Sequence, residues 1–382
     1  MSTIHFLMHR NSVVAEFDNF IMTRVFIKDK LPLLLQRCSD LRVWMQTREP
    51  DVSRASISNI CDSLGVSKYD DFPLGGFVNY ACVTDNYWIK NKSENKSWKD
   101  VKICHTSSSE AFLGIDYGFS EHTQQEANFT LIGFCEKAWI QLINDARFYL
   151  VKRGTLEERF SEILYSRLGK LFGFDVVEYS PWFKDTVICE NFVDTGIYDF
   201  EHIYNVVDFD DDYAKSYNKI KEIAPGEELR FLQMIFLDTI CFNMDRHTFN
   251  YGLLRNIETG EFQFAPIYDN NISLLSALEL KRDVKAVPNR QLTYFEICLK
   301  NLCKDQTILD SYVKRFGVPK FCKSDIQQVV HEVINHESDA FKSLECFEES
   351  LVEYIWYGCQ FISELFGEYS TFSKTNNFVG DI

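Results

Sequence analysis

The chain has 382 residues, 46% of them apolar, which is long enough for two or three domains or lobes and ample for a sizeable core. A net charge of −16 argues against direct binding of nucleic acid or of an anionic membrane surface, because both would repel an acidic protein. The twelve cysteines include no CxxC pair and no regular spacing, so neither a zinc site nor a disulfide framework organises the chain, and a reducing compartment is expected. Ser2-Thr3-Ile4-His5 offers no basic segment followed by an apolar core, so no signal peptide is expected. No apolar run of about eighteen residues suggests a membrane span. Cytoplasmic placement is the expectation, and export as an effector would leave no mark of this kind.

Alternating apolar residues at Ile4–Leu7 and Val13–Phe17 predict a strand pair. Arg54–Leu64 reads as a helix with Ser53 as N-cap and Gly65 as C-cap. Residues 91–99 and 105–128 are polar and are expected to be loops. Phe129–Phe134 and Lys137–Ile140 predict a strand, a turn and a strand, with Gly133 permitting close backbone approach. Phe148–Val151 predicts a further strand ending in Lys152. An ammonium at a strand end suits phosphate if it points into a cleft, although most lysines are simply solvated.

Phe160, Ile163, Leu164, Leu168 and Leu171 form one apolar stripe, so Glu157–Phe172 is expected to be an amphipathic helix closed by Gly173. Glu162 falls about 170° from the centre of that stripe at about 100° per residue, and so faces either water or a cleft. Val187–Phe192 is a short apolar run able to link two lobes and offer backbone groups to a ligand; Glu190 and Phe192 lie within it. Asp208–Asp212 reads as a solvated acidic loop. Pro225-Gly226-Glu227-Glu228 opens a helix with acids in its first turn. Leu229–Phe242 is apolar nearly all round, which predicts a buried helix.

That helix runs directly into Asn243-Met244-Asp245-Arg246-His247-Thr248-Phe249-Asn250. Asp245 and Asn250 lie five apart on one short loop. Gly252–Ala265, with Gly260 at its turn, predicts a hairpin that returns the chain to Asp269. One carboxylate to orient or deprotonate a hydroxyl, with a side-chain amide and a second carboxylate as hard oxygen ligands, is the set that phosphoryl transfer uses. His247 has no second His or Cys at ligand spacing and reads as a residue that fixes the loop. Arg246 is expected to pair with a carboxylate there. Ile326–Ile334 and Leu351–Leu365 predict amphipathic helices.

These segments resemble the HipA-like serine/threonine kinases. Asp245–Asn250 and Ala265-Pro266-Ile267-Tyr268-Asp269 look like that family's catalytic and metal-binding segments. Phe148–Lys152 looks like its nucleotide-binding lysine strand, Phe160–Gly173 like the following helix, and Val187–Phe192 like its hinge. Met8-His9-Arg10, Val14-Ala15-Glu16, Leu31-Pro32 and Tyr87-Trp88-Ile89 resemble the amino-terminal subdomain of one branch of the family.

The resemblance implies an α+β, bilobal atypical protein-kinase-like fold. It implies an N-terminal α/β accessory subdomain over residues 1–100, a small lobe over 101–190 and a mainly helical large lobe over 191–382. In this reading Asp245 is the catalytic base, and Asn250 and Asp269 are ligands of Mg2+. Gly133, Lys152, Glu162, Glu190 and Phe192 bind ATP, with Glu162 paired to Lys152. Arg246 and His247 support the catalytic loop, and Thr130 is the nearest hydroxyl for autophosphorylation. The implied activity is ATP- and Mg2+-dependent phosphorylation of a protein substrate, in a toxin-like or signalling role with an antitoxin-like protein partner. Two other classes share part of the pattern. The Asp-Arg-His-x-x-Asn order also occurs in phosphatidylinositol 3- and 4-kinases, which makes a lipid kinase the alternative. A catalytically silent kinase fold acting as a binding module is the other. Asn270-Asn271 follow Asp269 where protein kinases carry Phe-Gly, so regulation by a DFG flip is not implied.

Overall fold

The structure is a computed structural model that describes residues 3–67, 74–104, 106, 126–133, 135–208, 212–278 and 294–367. The chain forms two compact units that interleave along the sequence. The first comprises Met1–Gly154, Trp182–Asp208 and Gly252–Ala265; the second comprises Thr155–Pro181, Phe209–Tyr251 and Pro266–Ile382. Among the described residues no helix is long and apolar enough to cross a membrane, and no disulfide joins the cysteines.

In the first unit, β1 (Ile4–His9) and β2 (Ser12–Asp18) form the expected pair. β3 (Ile21–Val25) and β4 (Tyr87–Asn91) extend it to an antiparallel sheet of order β3-β2-β1-β4. Strand alternation sends neighbouring side chains to opposite faces. Leu7, Ala15, Phe17, Tyr87 and Ile89 enter one buried cluster. Met8 and Trp88 enter another, with Ile57 and Ile60 of α1 (Ala55–Leu64). Gly65 closes α1 with φ 66°. The N-cap is Arg54 rather than the expected Ser53. Asp51 takes the Ser53 N–H at 2.8 Å and its hydroxyl at 2.5 Å, which commits Ser53 to a turn ahead of the helix.

β5 (Lys137–Gln141), β6 (Phe148–Arg153) and β7 (Thr186–Glu190) run antiparallel, with Lys137 directly opposite Lys152. The chain before β5 departs from expectation. Ala127–Thr130 is a 3-10 turn where a strand was predicted from residue 129, and Phe134 lies outside the described residues. The cause is Asn128. Its Oδ1 accepts the Trp139 N–H at 2.6 Å and its Nδ2 donates to the Trp139 carbonyl at 3.3 Å, so a side chain takes the bonds a paired strand would make. Of the polar stretch 105–128, only 106 and 126–128 are described; of the acidic stretch 208–212, residues 209–211 lie outside the described residues. The predicted hairpin is β9 (Gly252–Asn256) with β10 (Phe262–Phe264), turning through Gly260 at φ 75°. It gains a third strand, β8 (Tyr198–His202), that the sequence reading did not include.

In the second unit, α2 (Leu156–Leu171) opens on a capping box: Thr155 Oγ1 accepts the Glu158 N–H at 3.2 Å and Glu158 Oε2 accepts the Thr155 N–H at 2.7 Å. The apolar stripe is buried at Phe160, Ile163, Leu164 and Leu168. Ser161 and Glu162 are buried as well, so the middle of α2 is enclosed on all sides. α3 (Tyr213–Ile223) starts at Asp212, whose carboxylate accepts the Ala214 N–H at 2.8 Å. α4 (Glu228–Cys241) is buried along almost its whole length, as its composition predicts. Gly169 of α2 allows close packing, since a Cβ there would lie 2.5 Å from Val176 Cγ1 and 3.0 Å from Leu237 Cδ2. The helices Lys323–Glu332 and Glu348–Leu365 stand where two were predicted, the first running into a π turn over Val333–Glu337.

Candidate functional site

The second unit holds Asp245, Arg246, His247, Asn250, Asp269 and Glu162. α4 ends in Phe242 with φ 52°, a left-handed turn that breaks the helix immediately before the loop. Asn243 then stitches loop to helix: its N–H meets the Asp238 carbonyl at 3.0 Å and its Nδ2 the Asp238 Oδ1 at 3.0 Å. Asn243 Oδ1 in turn accepts the Asp245 N–H at 3.2 Å.

Arg246 is the centre of this arrangement. Its Nε and Nη2 reach the two Asp238 oxygens, each at 3.0 Å, and both side chains are fully buried. Nη1 donates to the Asn250 carbonyl at 2.7 Å and to the Tyr268 carbonyl at 2.6 Å. The remaining Nη2 donor meets Asn270 Oδ1 at 2.6 Å. All five N–H donors of the guanidinium therefore have acceptors. They span the end of α4, the Asp245–Asn250 loop, and the residues on either side of Asp269. Asp238 also accepts the Tyr165 hydroxyl at 2.7 Å; burial disfavours the Arg246 charge, but the Asp238 carboxylate outweighs it and holds Arg246 in its charged form.

Asp269 arrives by a different route. The chain around Ile267 bonds alongside Asp175 and Val177, with N–H···O distances of 2.9 Å in both directions. Asp269 adopts φ 60°, a left-handed conformation that aspartate tolerates better than most residues. Its N–H donates to the Tyr179 hydroxyl at 3.3 Å, and the next N–H, of Asn270, donates to Glu162 Oε1 at 2.8 Å. Tyr268 adds a tie back to the loop, its hydroxyl donating to the Phe249 carbonyl at 2.8 Å.

Within the loop, Asn250 Nδ2 donates to the Asp245 carbonyl at 2.7 Å, which turns the amide oxygen away from that bond. His247 Nδ1 accepts the Phe249 N–H at 3.2 Å, so in neutral imidazole the proton sits on Nε2, 4.0 Å from Asp245 Oδ2. His247 thus bonds within the loop. The Asp245 carboxyl titrates above the ordinary aspartate range, because burial disfavours its charge and the Asp269 carboxylate adds repulsion; His247 and Arg246 oppose this.

Among the described residues no cluster of three or more His, Cys, Asp or Glu is placed to hold a metal on its own. The set Asp245, Asn250 and Asp269 still fits magnesium. Its ligands are hard oxygens, and Mg2+ ordinarily takes one or two carboxylates plus phosphate oxygens and water. The mutual repulsion of Asp245 and Asp269 is what a divalent cation would relieve.

The first unit holds Gly133, Lys152, Glu190, Phe192 and Thr130. Lys152 is 4% exposed, in β6. Gly133 takes φ 107°. Thr130 is buried and its hydroxyl donates to the Ala81 carbonyl at 2.9 Å. Glu190 lies at the surface, paired with Arg147 Nη1 at 2.8 Å, and Phe192 packs edge-on against Phe200 with ring centroids 5.5 Å apart. Sequence reasoning missed Asp238, Asn243, Asn270 and Tyr165 as supports of the loop. Asp238 carried a readable signal, since an acid inside an otherwise apolar helix requires a buried partner.

No family model and no curated protein matches the sequence. Solved structures do. HipA of Shewanella oneidensis MR-1, from a toxin–antitoxin system solved with HipB and its operator DNA, matches with a TM-score of 0.62 at 15% identity, over 94% of this chain and 99% of that one. The proinflammatory kinase CtkA of Helicobacter pylori matches with a TM-score of 0.46 at 20% identity, over 62% of this chain and 98% of that one. Likeness at 15% identity is likeness of fold, and the α+β fold of this chain is like that of HipA.

Proposed function

We propose that this protein is an ATP- and Mg2+-dependent kinase of serine or threonine hydroxyls in a protein substrate. One observation carries the reading: the single buried guanidinium of Arg246 bonds the loop bearing Asp245 and Asn250 and both neighbours of Asp269. The loop that carries Asp245 and Asn250 is thereby tied to the later segment that carries Asp269, and phosphoryl transfer depends on such positioning.

Asp245 accepts the proton of the attacking hydroxyl. The hydroxyl oxygen bonds the γ-phosphorus as the bond to the β–γ bridging oxygen breaks, and ADP leaves. Asn250 and Asp269 are the residues that would hold Mg2+, which when bound supplies positive charge against the phosphate oxygens. Lys152 belongs to the same reading as a positive charge for the phosphates. Val187–Phe192, with Glu190 and Phe192, offers backbone groups to adenine. Phosphorylation of Thr130 belongs to the same reading and requires its bond to Ala81 to open. An antitoxin-like protein partner is proposed by analogy with HipA, which was solved together with HipB.

Mass spectrometry of the purified protein after incubation with ATP and magnesium tests the reading. Added phosphate in the wild type, absent in Asp245→Ala, is the expected result. Absence of transfer to the chain itself and to any serine- or threonine-bearing protein offered overturns it.

A further inference from the structure

The chain that leaves β7, residues 191–197, lies outside any strand, so its backbone groups need partners other than a ladder. Partners come from the N-terminal sheet and its connections, which belong to the same compact unit. Arg10 Nη2 donates to the Thr195 carbonyl at 2.7 Å and to the Gly196 carbonyl at 3.4 Å. Asn86 Nδ2 donates to the same Thr195 carbonyl at 3.0 Å. Asn191, inside the segment Val187–Phe192, is held too: its Nδ2 donates to the Val83 carbonyl at 3.1 Å.

The far end is anchored in β8. One Asp199 oxygen accepts the Asn86 N–H at 2.9 Å and its Nδ2 at 2.7 Å, and the other meets His9 Nε2 at 2.8 Å. His9, Asn86 and Asp199 are all buried. Burial disfavours the Asp199 charge, but the bonds from His9 and Asn86 outweigh it and hold the carboxyl below the usual aspartate range. The next N–H, of Phe200, donates to the Thr84 carbonyl at 2.9 Å.

Arg10 stands where its backbone does not favour it. It is the first residue of the two-residue turn between the paired residues His9 and Ser12, and its φ is 51°, a conformation that suits glycine there. The turn is fixed on both sides, the Arg10 N–H donating to the Asn86 carbonyl at 2.9 Å and its carbonyl accepting the Trp88 indole N–H at 2.7 Å. Nε adds a bond to Asn86 Oδ1 at 3.0 Å. An arginine in this conformation carries backbone strain, which its bonds to Thr195 and Gly196 offset.

We infer that the N-terminal subdomain braces the nucleotide site, with Arg10 as a positioning residue. Arg10 and Asn86 fix the path of the chain leaving Val187–Phe192, and so set the backbone groups that segment offers to adenine. The inference deepens the kinase reading and rests on it for the identity of the ligand. It gives residues 1–100 a part in ATP affinity although none of them touches the nucleotide.

The test uses the full chain, with ADP and magnesium as the probe in calorimetry and thermal melting as the measure of stability. Arg10→Gly suits the left-handed turn and removes the bonds to Thr195 and Gly196. It is expected to melt within a few degrees of the wild type yet bind ADP at least about fivefold more weakly, the order of one lost hydrogen bond. In a phosphorylation assay KM for ATP should rise with kcat held, because the brace contributes equally before and during transfer. Arg10→Asn tolerates the same backbone and is too short to reach Thr195; it is the second variant, with the same expectation. ADP affinity equal to the wild type in the folded variants, a fall in kcat at unchanged KM, or no ADP binding by the wild type would each overturn the inference. Failure of the kinase reading shows itself differently, as no transfer from ATP by the wild type while the ADP comparison still discriminates.

Discussion

Glu162 accepts the backbone N–H of Asn270 at 2.8 Å, joining the enclosed middle of α2 to the residue that follows Asp269. A carboxylate far from its helix's apolar stripe is usually solvated; here it is fully buried and bonded to the chain that carries a candidate metal ligand. The bond fixes the direction in which the left-handed turn at Asp269 leaves the site.

Glu162→Ala should therefore leave a buried N–H without that acceptor, at a cost of about 1–3 kcal/mol, while Glu162→Gln keeps an acceptor oxygen and should cost less. Chemical denaturation of the two variants measures the difference. Equal destabilisation would show that the bond to Asn270 has no part in it.

Arg246 fills all five donors from a site with no exposure, opposite the equally buried Asp238. Arg246→Lys can satisfy at most three acceptors and cannot bond Asp238 through two parallel N–H groups. We expect a loss of about 1–3 kcal/mol for each buried acceptor left without a donor, since the charge itself is kept. A melting temperature within a degree of the wild type would contradict this.

Asp245→Ala removes the proposed proton acceptor without touching the Arg246 frame. Transfer should fall by about 10²–10⁴, while affinity for ATP stays within about tenfold. A radiolabelled phosphorylation assay alongside nucleotide titration separates the two, and full activity in the variant would remove Asp245 from its assigned role.

Glu49 offers a pH-dependent check on the first unit. Its carboxyl is surrounded by protein, accepts the Gly75 N–H at 3.2 Å, and has its pKa raised to about 8 by burial. A raised acid binds its proton more tightly in the folded state. Its contribution to stability is fully present below the unfolded value near 4.5 and is lost as pH rises through about 8. Glu49→Gln should flatten that fall, so that the variant becomes the more stable of the two at pH 9 by about 1–3 kcal/mol. Parallel melting curves across pH 5–9 test this, and curves that stay a constant distance apart would exclude Glu49 as the source.

The sequence alone determined the groups that local chemistry dictates. The stripe of α2, the all-round apolar α4 and the turn at Gly260 were legible because helix periodicity, composition and a left-handed glycine act over a few residues. So was the spacing of Asp245, Asn250 and Asp269. Ser53 and the predicted strand from residue 129 were misread because nearby side chains compete for the backbone: Asp51 takes the Ser53 N–H, and Asn128 takes the Trp139 N–H that a paired strand would have used. What only the tertiary structure decided is which side chains hold the loop. Asp238, Tyr165, Asn270 and Glu162 meet Arg246 or its neighbours across separations of 8 to 108 residues. Burial sets those partners, because a charge removed from water must find an opposite charge or a hydrogen bond wherever the packed chain brings one, and no local pattern records that meeting.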